Sequence, residues 1–302
     1  MPSSVRCSSS LRAIAARVCA RERDACVERA RWLGLAVAPA DPACEAPAPA
    51  SGIRIATRGP SAPPRPAAAP LVVDLSALWA GPLAARLLRS AGGLVVKVEA
   101  TRRPDGARRG NAAFFDRLNA GKASVALDFA APDDRARLLA LLERADVVIE
   151  SARPRALRQL GVDADAWVRA RPGRVWLSIT GYGRSAPGED WVAFGDDAAA
   201  AAGLCWCVPH GAPLFVGDAI ADPLAGLHGA LAVQRCWRRG EGALLDVALS
   251  AVVADAIADA PIEDEPSAPL AAQPPRLLGA PPECARELGA DTRTVLDELG
   301  VA

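Results

Sequence analysis

The chain has 302 residues, enough for one large domain or two, and 51% of them are apolar, enough for a substantial core. Basic residues (35 Lys and Arg) and acidic residues (35 Asp and Glu) balance, so no net field draws the chain to nucleic acid or to an anionic membrane surface. No apolar run reaches the length of a bilayer-spanning helix, so no membrane span is expected.

Residues 11–34 read as one amphipathic helical region ending near Gly34. An apolar core followed by a cleavage site is missing here, so no secretory signal is expected. Arg6, Arg12, Arg17 and Arg21 faintly resemble a transit peptide, but Glu22, Asp24 and Glu28 argue against one. Residues 41–70 are rich in Pro and Ala and read as a partly extended linker.

From Leu71 an α/β alternation begins. Apolar runs at 71–75, 94–98, 124–127, 146–150 and 175–179 predict strands, and the last-but-one (Val147, Val148, Ile149) has the continuous apolar character of a strand covered on both faces. Helices are expected at 82–91, at 133–144 behind Pro132 and its two acids, and at 155–170 with a break near Gly161. Repeated strand–helix–strand order predicts a doubly wound parallel sheet, Rossmann-like, whose ligands sit beyond the C-terminal strand ends. After residue 187 the pattern changes. Gly195-Asp196-Asp197 opens an alanine run to Gly203, residues 204–217 read as strand and turn, and Asp222-Pro223 starts a helix through Arg239. A strand at 243–249, a helix at 251–260, a Pro-rich stretch at 261–283 and a last helix at 291–299 complete the chain.

The eight cysteines include no pair with the spacing of a zinc knuckle or redox motif, which predicts reduced structural thiols in a cytoplasmic protein. There is no P-loop, no third glycine after Gly181-Tyr182-Gly183, no metal-ligand constellation and no basic–aromatic array for nucleic acid. Lys97 and Lys122 are the only lysines in a chain that otherwise uses arginine, and both fall in the first α/β units.

Several blocks together resemble the class III CoA-transferases, a family that includes formyl-CoA and carnitine CoA-transferases and the α-methylacyl-CoA racemases. They are Val73-Asp74-Leu75-Ser76 with Ala80-Gly81-Pro82, Val96-Lys97-Val98-Glu99, Asn119 to Asp128, Ala145 to Pro154, Arg171 to Gly183, and Asp222 through Leu249. Family members are typically longer. Their insert after the region of Ala260, and their glycine-rich loop over the active site, are nearly absent here, while Arg21–Pro39 resembles the end of the small domain. The resemblance therefore implies a large α/β domain at 71–260 with a reduced small domain. It is preceded by a small-domain-like fragment (1–40) and the linker (41–70), and followed by a Pro-rich segment and C-terminal helix (261–302).

By the same resemblance, coenzyme A enters as the acyl-CoA substrate, a carboxylic acid is its exchange partner, and one aspartate attacks the thioester. A carboxylate suits that role because the anhydride it forms is comparable in reactivity to a thioester. The family's Gly-x-Asp pattern falls on Asp197, with Asp196 as the other candidate, and an aspartate heading an alanine helix is also a good N-cap. The CoA-contacting positions fall on Asn119, Lys122, Ser151, Ala152 and Arg153. A further family arginine falls on Gln159, with Arg158 beside it, and Glu99 and Arg102 are weaker candidates. Gly181-Tyr182-Gly183 is expected to turn near the acyl pocket. The expected assembly is an interlocked homodimer or a pairing with a longer homologue. The competing readings are a CoA-binding paralogue without catalysis, a half-enzyme dependent on a full-length partner, and a racemase. The racemase is disfavoured because Asp196 stands where that branch has histidine, and the only histidines are His210 and His228.

Overall fold

The computed structural model describes residues 4–40, 52–65, 69–207, 213–258 and 283–301. Two helices come first, α1 (Ser4–Cys19) and α2 (Arg23–Trp32), followed by strand β1 (Ile53–Gly59). The α/β alternation then runs β2 (Leu71–Asp74), α3 (Ala80–Ser90), β3 (Leu94–Ala100), α4 (Ala112–Asn119), β4 (Ala123–Leu127), α5 (Pro132–Arg144), β5 (Val147–Glu150), α6 (Pro154–Gln159), α7 (Ala164–Ala170) and β6 (Val175–Thr180). The rest comprises α8 (Gly195–Ala201), β7 (Cys205–Cys207), β8 (Pro213–Phe215), α9 (Ala221–Arg239), β9 (Gly242–Ala248), α10 (Leu249–Ile257) and α11 (Thr292–Glu298).

Seven strands form one sheet in the order β1-β9-β6-β5-β2-β3-β4, parallel except for β1 against β9; β7 and β8 form a separate antiparallel pair. The six parallel strands follow the doubly wound order, in which the chain starts at the centre, moves outward to one edge, then returns and fills the other side. Successive strand residues serve opposite faces. Val72, Val147, Leu177 and Leu245 pack beneath α3, α8, α9 and α10, while Val73, Val148, Trp176 and Leu244 pack beneath α5, α7 and α11. This double burial explains the continuous apolar runs. Helices α3 and α9 approach closely because Gly226 lacks a side chain: a Cβ there would lie 2.7 Å from the Ala80 carbonyl oxygen.

Several boundaries differ from the sequence-based expectation. The region 11–34 is part of two helices, broken where the Arg21 N–H turns back to the Val18 carbonyl. Within the stretch read as a linker, residues 53–59 are the antiparallel edge strand, paired from Ile53 opposite Val247 to Gly59 opposite Gly242 with a one-residue register shift between Ile55 and Thr57. Helix α4 was not expected; Asn111 caps it, accepting from the Phe114 N–H at 3.1 Å, and it buries Phe115 and Leu118. The C-terminal segment covers the other sheet edge. Asp291 and Thr292 accept the N–H groups of Ser124 (2.9 Å) and Ala126 (3.0 Å), satisfying donors that an open β4 would leave exposed. The stretches 41–51 and 259–282, and His210, lie outside the described residues.

Candidate active site

A doubly wound sheet opens a crevice where its strand order reverses, here at the C-terminal ends of β2 and β5. The two loops leaving that point are tied together: the Ala77 N–H donates to the Ser151 hydroxyl at 3.2 Å. Ala152 is pinned by its N–H to the Glu150 carboxylate at 2.8 Å. Arg153 is exposed at the start of α6, and Arg158, also exposed, reaches Glu189 at 3.3 Å. Arg158 lines a cleft with Pro154, Leu157, Val162, Asp163 and Arg184. Ser151, Ala152, Arg153 and Arg158 thus gather at one rim of the crevice.

Beneath that rim the strands end in buried acids: Asp74 on β2, Glu99 on β3, Glu150 on β5 and Asp246 on β9, none more than 5% exposed. A base answers each one. Lys122 meets Asp74 at 2.8 Å, Arg108 meets Glu99 at 2.6 Å, Arg184 meets Glu150 at 3.2 Å and Arg54 meets Asp246 at 2.8 Å. Isolated buried charges are costly, so these acids hold the loops above them to the sheet. Burial pushes the Glu150 carboxyl above its ordinary value, against the opposing pull of Ser178, Arg184 and the Ala152 N–H. Burial would do the same to Asp74. There the Lys122 and Lys97 ammoniums, with hydrogen bonds from Lys122 and Ser76, outweigh it and hold the carboxyl below the usual range.

The side chains of Lys122 and Asn119, expected at the CoA surface, are engaged within this frame. The Lys122 ammonium donates to Asp74 (2.8 Å), Asn119 Oδ1 (3.0 Å) and the Pro82 carbonyl (3.0 Å), and an ammonium has three donors. None remains for a phosphate. Burial lowers this amine to about 8 despite the facing Asp74 carboxylate. Asn119 is itself buried, its amide nitrogen donating to the Phe115 carbonyl at 3.1 Å. Lys97 is likewise internal, bridging the Ser76 carbonyl (2.9 Å) and Asp105 (3.0 Å). Glu99 is consumed by Arg108, and exposed Arg102 pairs with Asp128 at 2.9 Å.

The acids of the alanine helix lie at the same sheet edge, on the α3–α9 face. Asp197 accepts the Phe194 N–H at 2.6 Å and the Tyr182 hydroxyl at 3.2 Å. It therefore caps α8 and faces the turn after β6 at once. Burial raises its carboxyl above the ordinary range, opposed by those hydrogen bonds. Asp196 accepts the Ala219 N–H at 2.8 Å, where Ala219 is held at φ 47°, in the left-handed region that side chains disfavour. A third acid, Asp222 in the first turn of α9, joins them. Burial raises it to about 6, against the N–H groups of Ala80 and Gly195 that it accepts and with the nearby charges of Asp196 and Asp197 adding to the rise. Gly195 makes this convergence possible: a Cβ there would sit 2.4 Å from both the Ala219 oxygen and Asp222 Oδ2.

Sequence reasoning missed three members of this site. Asp222 read only as a helix start. Tyr182 read as part of a turn near the acyl pocket with no role of its own, although it is the chain's single tyrosine and follows a strand end. Arg31 carried no signal at all; its guanidinium lies 3.6 Å from the Trp191 ring centroid and 5.4 Å from that of Tyr182, and the two rings meet edge to face. His228 is exposed on α9.

The doubly wound sheet, the crevice at its strand reversal and an acid-bearing helix beside it define an α/β protein built to bind a ligand above its parallel strands. Residues 70–280 match CoA-transferase family III, and the chain belongs to that family. It is 30% identical over 207 residues to a succinate–glutarate CoA-transferase of Agrobacterium fabrum (61% of this chain, 52% of that protein). It is 29% identical over 200 residues to a succinyl-CoA–D-citramalate CoA-transferase of Chloroflexus aurantiacus (62% and 50%). A crystal structure of a CaiB/BaiF family protein from Brucella suis superposes with a TM-score of 0.59 at 28% identity, covering 65% of this chain and 56% of that one. The chain spans about half the length of these curated relatives.

Proposed function

We propose that this protein moves CoA between an acyl-CoA thioester and a carboxylic acid, with Asp197 as the nucleophile. The observation that carries this reading is the placement of Asp197: a half-buried carboxylate at the crown of the parallel sheet, less well stabilised than in water, aimed by one backbone N–H and one phenol. Its oxygen attacks the thioester carbonyl, the C–S bond breaks, and CoA leaves as the thiolate, giving an acyl-aspartyl anhydride. The thiolate then attacks the aspartyl carbonyl, releasing the donor acid and leaving an aspartyl-CoA thioester. The acceptor carboxylate reverses both steps, and no net proton is consumed. Ser151, Ala152, Arg153 and Arg158 present a hydroxyl, a backbone and guanidinium groups at the crevice rim, a fit for the polar and phosphate portions of CoA. Asp196 anchors the loop before α9.

Two features support a cytoplasmic assembly of more than one chain. Cys19 and Cys284 are exposed free thiols, as in a reducing compartment. Trp32, Leu33 and Leu35 are 73%, 63% and 54% exposed, an apolar surface suited to a second copy in an interlocked homodimer or to a longer homologue.

One observation favours a second reading, CoA binding without catalysis: both Asp197 oxygens already serve as acceptors, one from the Phe194 N–H in the α8 cap and the other from the Tyr182 hydroxyl. Incubation with succinyl-CoA separates the two. The transferase reading expects a hydroxylamine-sensitive mass adduct on Asp197, absent in Asp197→Asn and retained in Asp196→Asn. Equal CoA binding by wild type and Asp197→Asn, with no adduct in either, establishes the binding protein instead.

A further inference from the structure

We infer that Arg31, carried on the N-terminal helix α2, receives the carboxylate of the free acid substrate beside Asp197. The inference takes its chemistry from the transferase reading and its binding site from separate geometry. The Arg31 guanidinium lies on the Trp191 ring at 3.6 Å, and Trp191 in turn packs edge to face on Tyr182 at 5.3 Å. The Tyr182 hydroxyl donates to Asp197 at 3.2 Å, so one tyrosine separates the cation from the nucleophile. A guanidinium stacked on an indole keeps its edge donors in plane; the Tyr182 side chain engages Arg31 by a hydrogen bond, and the remaining donors have the geometry that grips a carboxylate.

Arg31 also has capacity to spare. Its Nε is buried without a hydrogen-bond partner, and among the described residues no carboxylate pairs with it, although Asp196, Asp197 and Asp222 crowd the neighbouring helix ends. An acid substrate approaching those three acids meets like charge. Arg31 is the cation placed to offset it. Helix α2 buries no residue of its own, and its Arg31 side chain reaches Tyr182 and Trp191 of the site.

Succinate alone serves as the probe, with its binding read by calorimetry or saturation-transfer NMR. Arg31→Gln is expected to weaken succinate binding about tenfold, the scale of one charge-assisted pair, with Arg31→Lys in between because it keeps charge but loses the fork. In turnover, the KM for the acceptor acid is expected to rise by a larger factor than the rate of the acyl-CoA adduct falls, a split that mere loosening of α2 does not produce. The inference is overturned if wild type does not bind succinate, if Arg31→Gln binds it equally, or if both Arg31 variants slow adduct formation as much as they weaken succinate. Arg31-dependent succinate binding without any acyl-CoA adduct sinks the transferase reading and leaves this site standing. Transfer that ignores Arg31 does the reverse.

Discussion

Lys122 and Asp74 pair at 2.8 Å with side chains only 1% and 0% exposed, joining the loop before β4 to the end of β2. The pair sits directly below the crevice, and the Asp74 carboxylate also accepts the Ser76 N–H at 3.0 Å and the Ser76 hydroxyl. Removing one partner of such a pair leaves the other charge buried. Lys122→Met is therefore expected to cost about 3–5 kcal/mol of stability by urea denaturation. The double variant Asp74→Asn/Lys122→Met is expected to recover part of that loss, since it removes both charges. A Lys122→Met protein as stable as wild type contradicts the frame described for this residue.

Asp222 makes stability depend on pH in a defined window. Its folded value, about 6, lies above the ordinary 3.8. Between those values the folded state holds the proton more tightly, so this contribution is complete below about pH 4 and is lost as pH rises through 6. That difference is worth on the order of 3 kcal/mol. Asp222→Asn is expected to flatten the melting-temperature profile between pH 4 and 6 specifically. A carboxyl resonance for Asp222 titrating near the ordinary aspartate value would refute this.

Gly195 is held to glycine by the approach of α8 to α9, since a Cβ would lie 2.4 Å from the Ala219 oxygen and from Asp222 Oδ2. Gly195→Ala must push these helix starts apart and is expected to destabilise by about 1–3 kcal/mol. It should also bring the Asp222 titration back toward the ordinary aspartate range as water enters. Calorimetric unfolding and the same carboxyl titration check both effects.

Tyr182 lowers the pKa of Asp197 by donating to it at 3.2 Å, so its loss moves that carboxyl further upward. Tyr182→Phe is expected to slow adduct formation from succinyl-CoA about tenfold at neutral pH, the scale of a hydrogen bond to a charged group. It should also move the pH at which adduct formation reaches half its maximum to a higher value. The pH–rate profile of the single-turnover reaction measures both; a profile unchanged from wild type would remove Tyr182 from the site.

Much of the sheet was legible because a parallel strand covered on both faces reads as a nearly continuous apolar run, as Leu71–Val73, Val147–Ile149 and Val175–Leu177 do. Strand β1 was not legible. Its sequence IRIATRG carries two arginines and lies among Pro and Ala, and it becomes a strand because β9 offers it an edge. In the candidate site, the family resemblance assigned Asp196 and Asp197 to catalysis and Ser151 and Arg153 to CoA, and the structure places all four around the C-terminal ends of the parallel strands. The residue pattern marked Lys122 as special without showing that its amine turns inward, because its partner Asp74 lies 48 positions earlier and nothing local reveals the direction.

The order of residues alone determined the α/β alternation and the glycine and proline punctuation, which depend on periodicity and spacing along the backbone, and its blocks carried the resemblance to the family. Tertiary packing alone decided that Lys122 and Asn119 face inward, that Asp222 and Tyr182 join Asp197, and that Arg31 lies on Trp191. The division has one physical cause: secondary structure follows from neighbours within a few residues, whereas the fate of a charge depends on which distant groups share its desolvated surroundings.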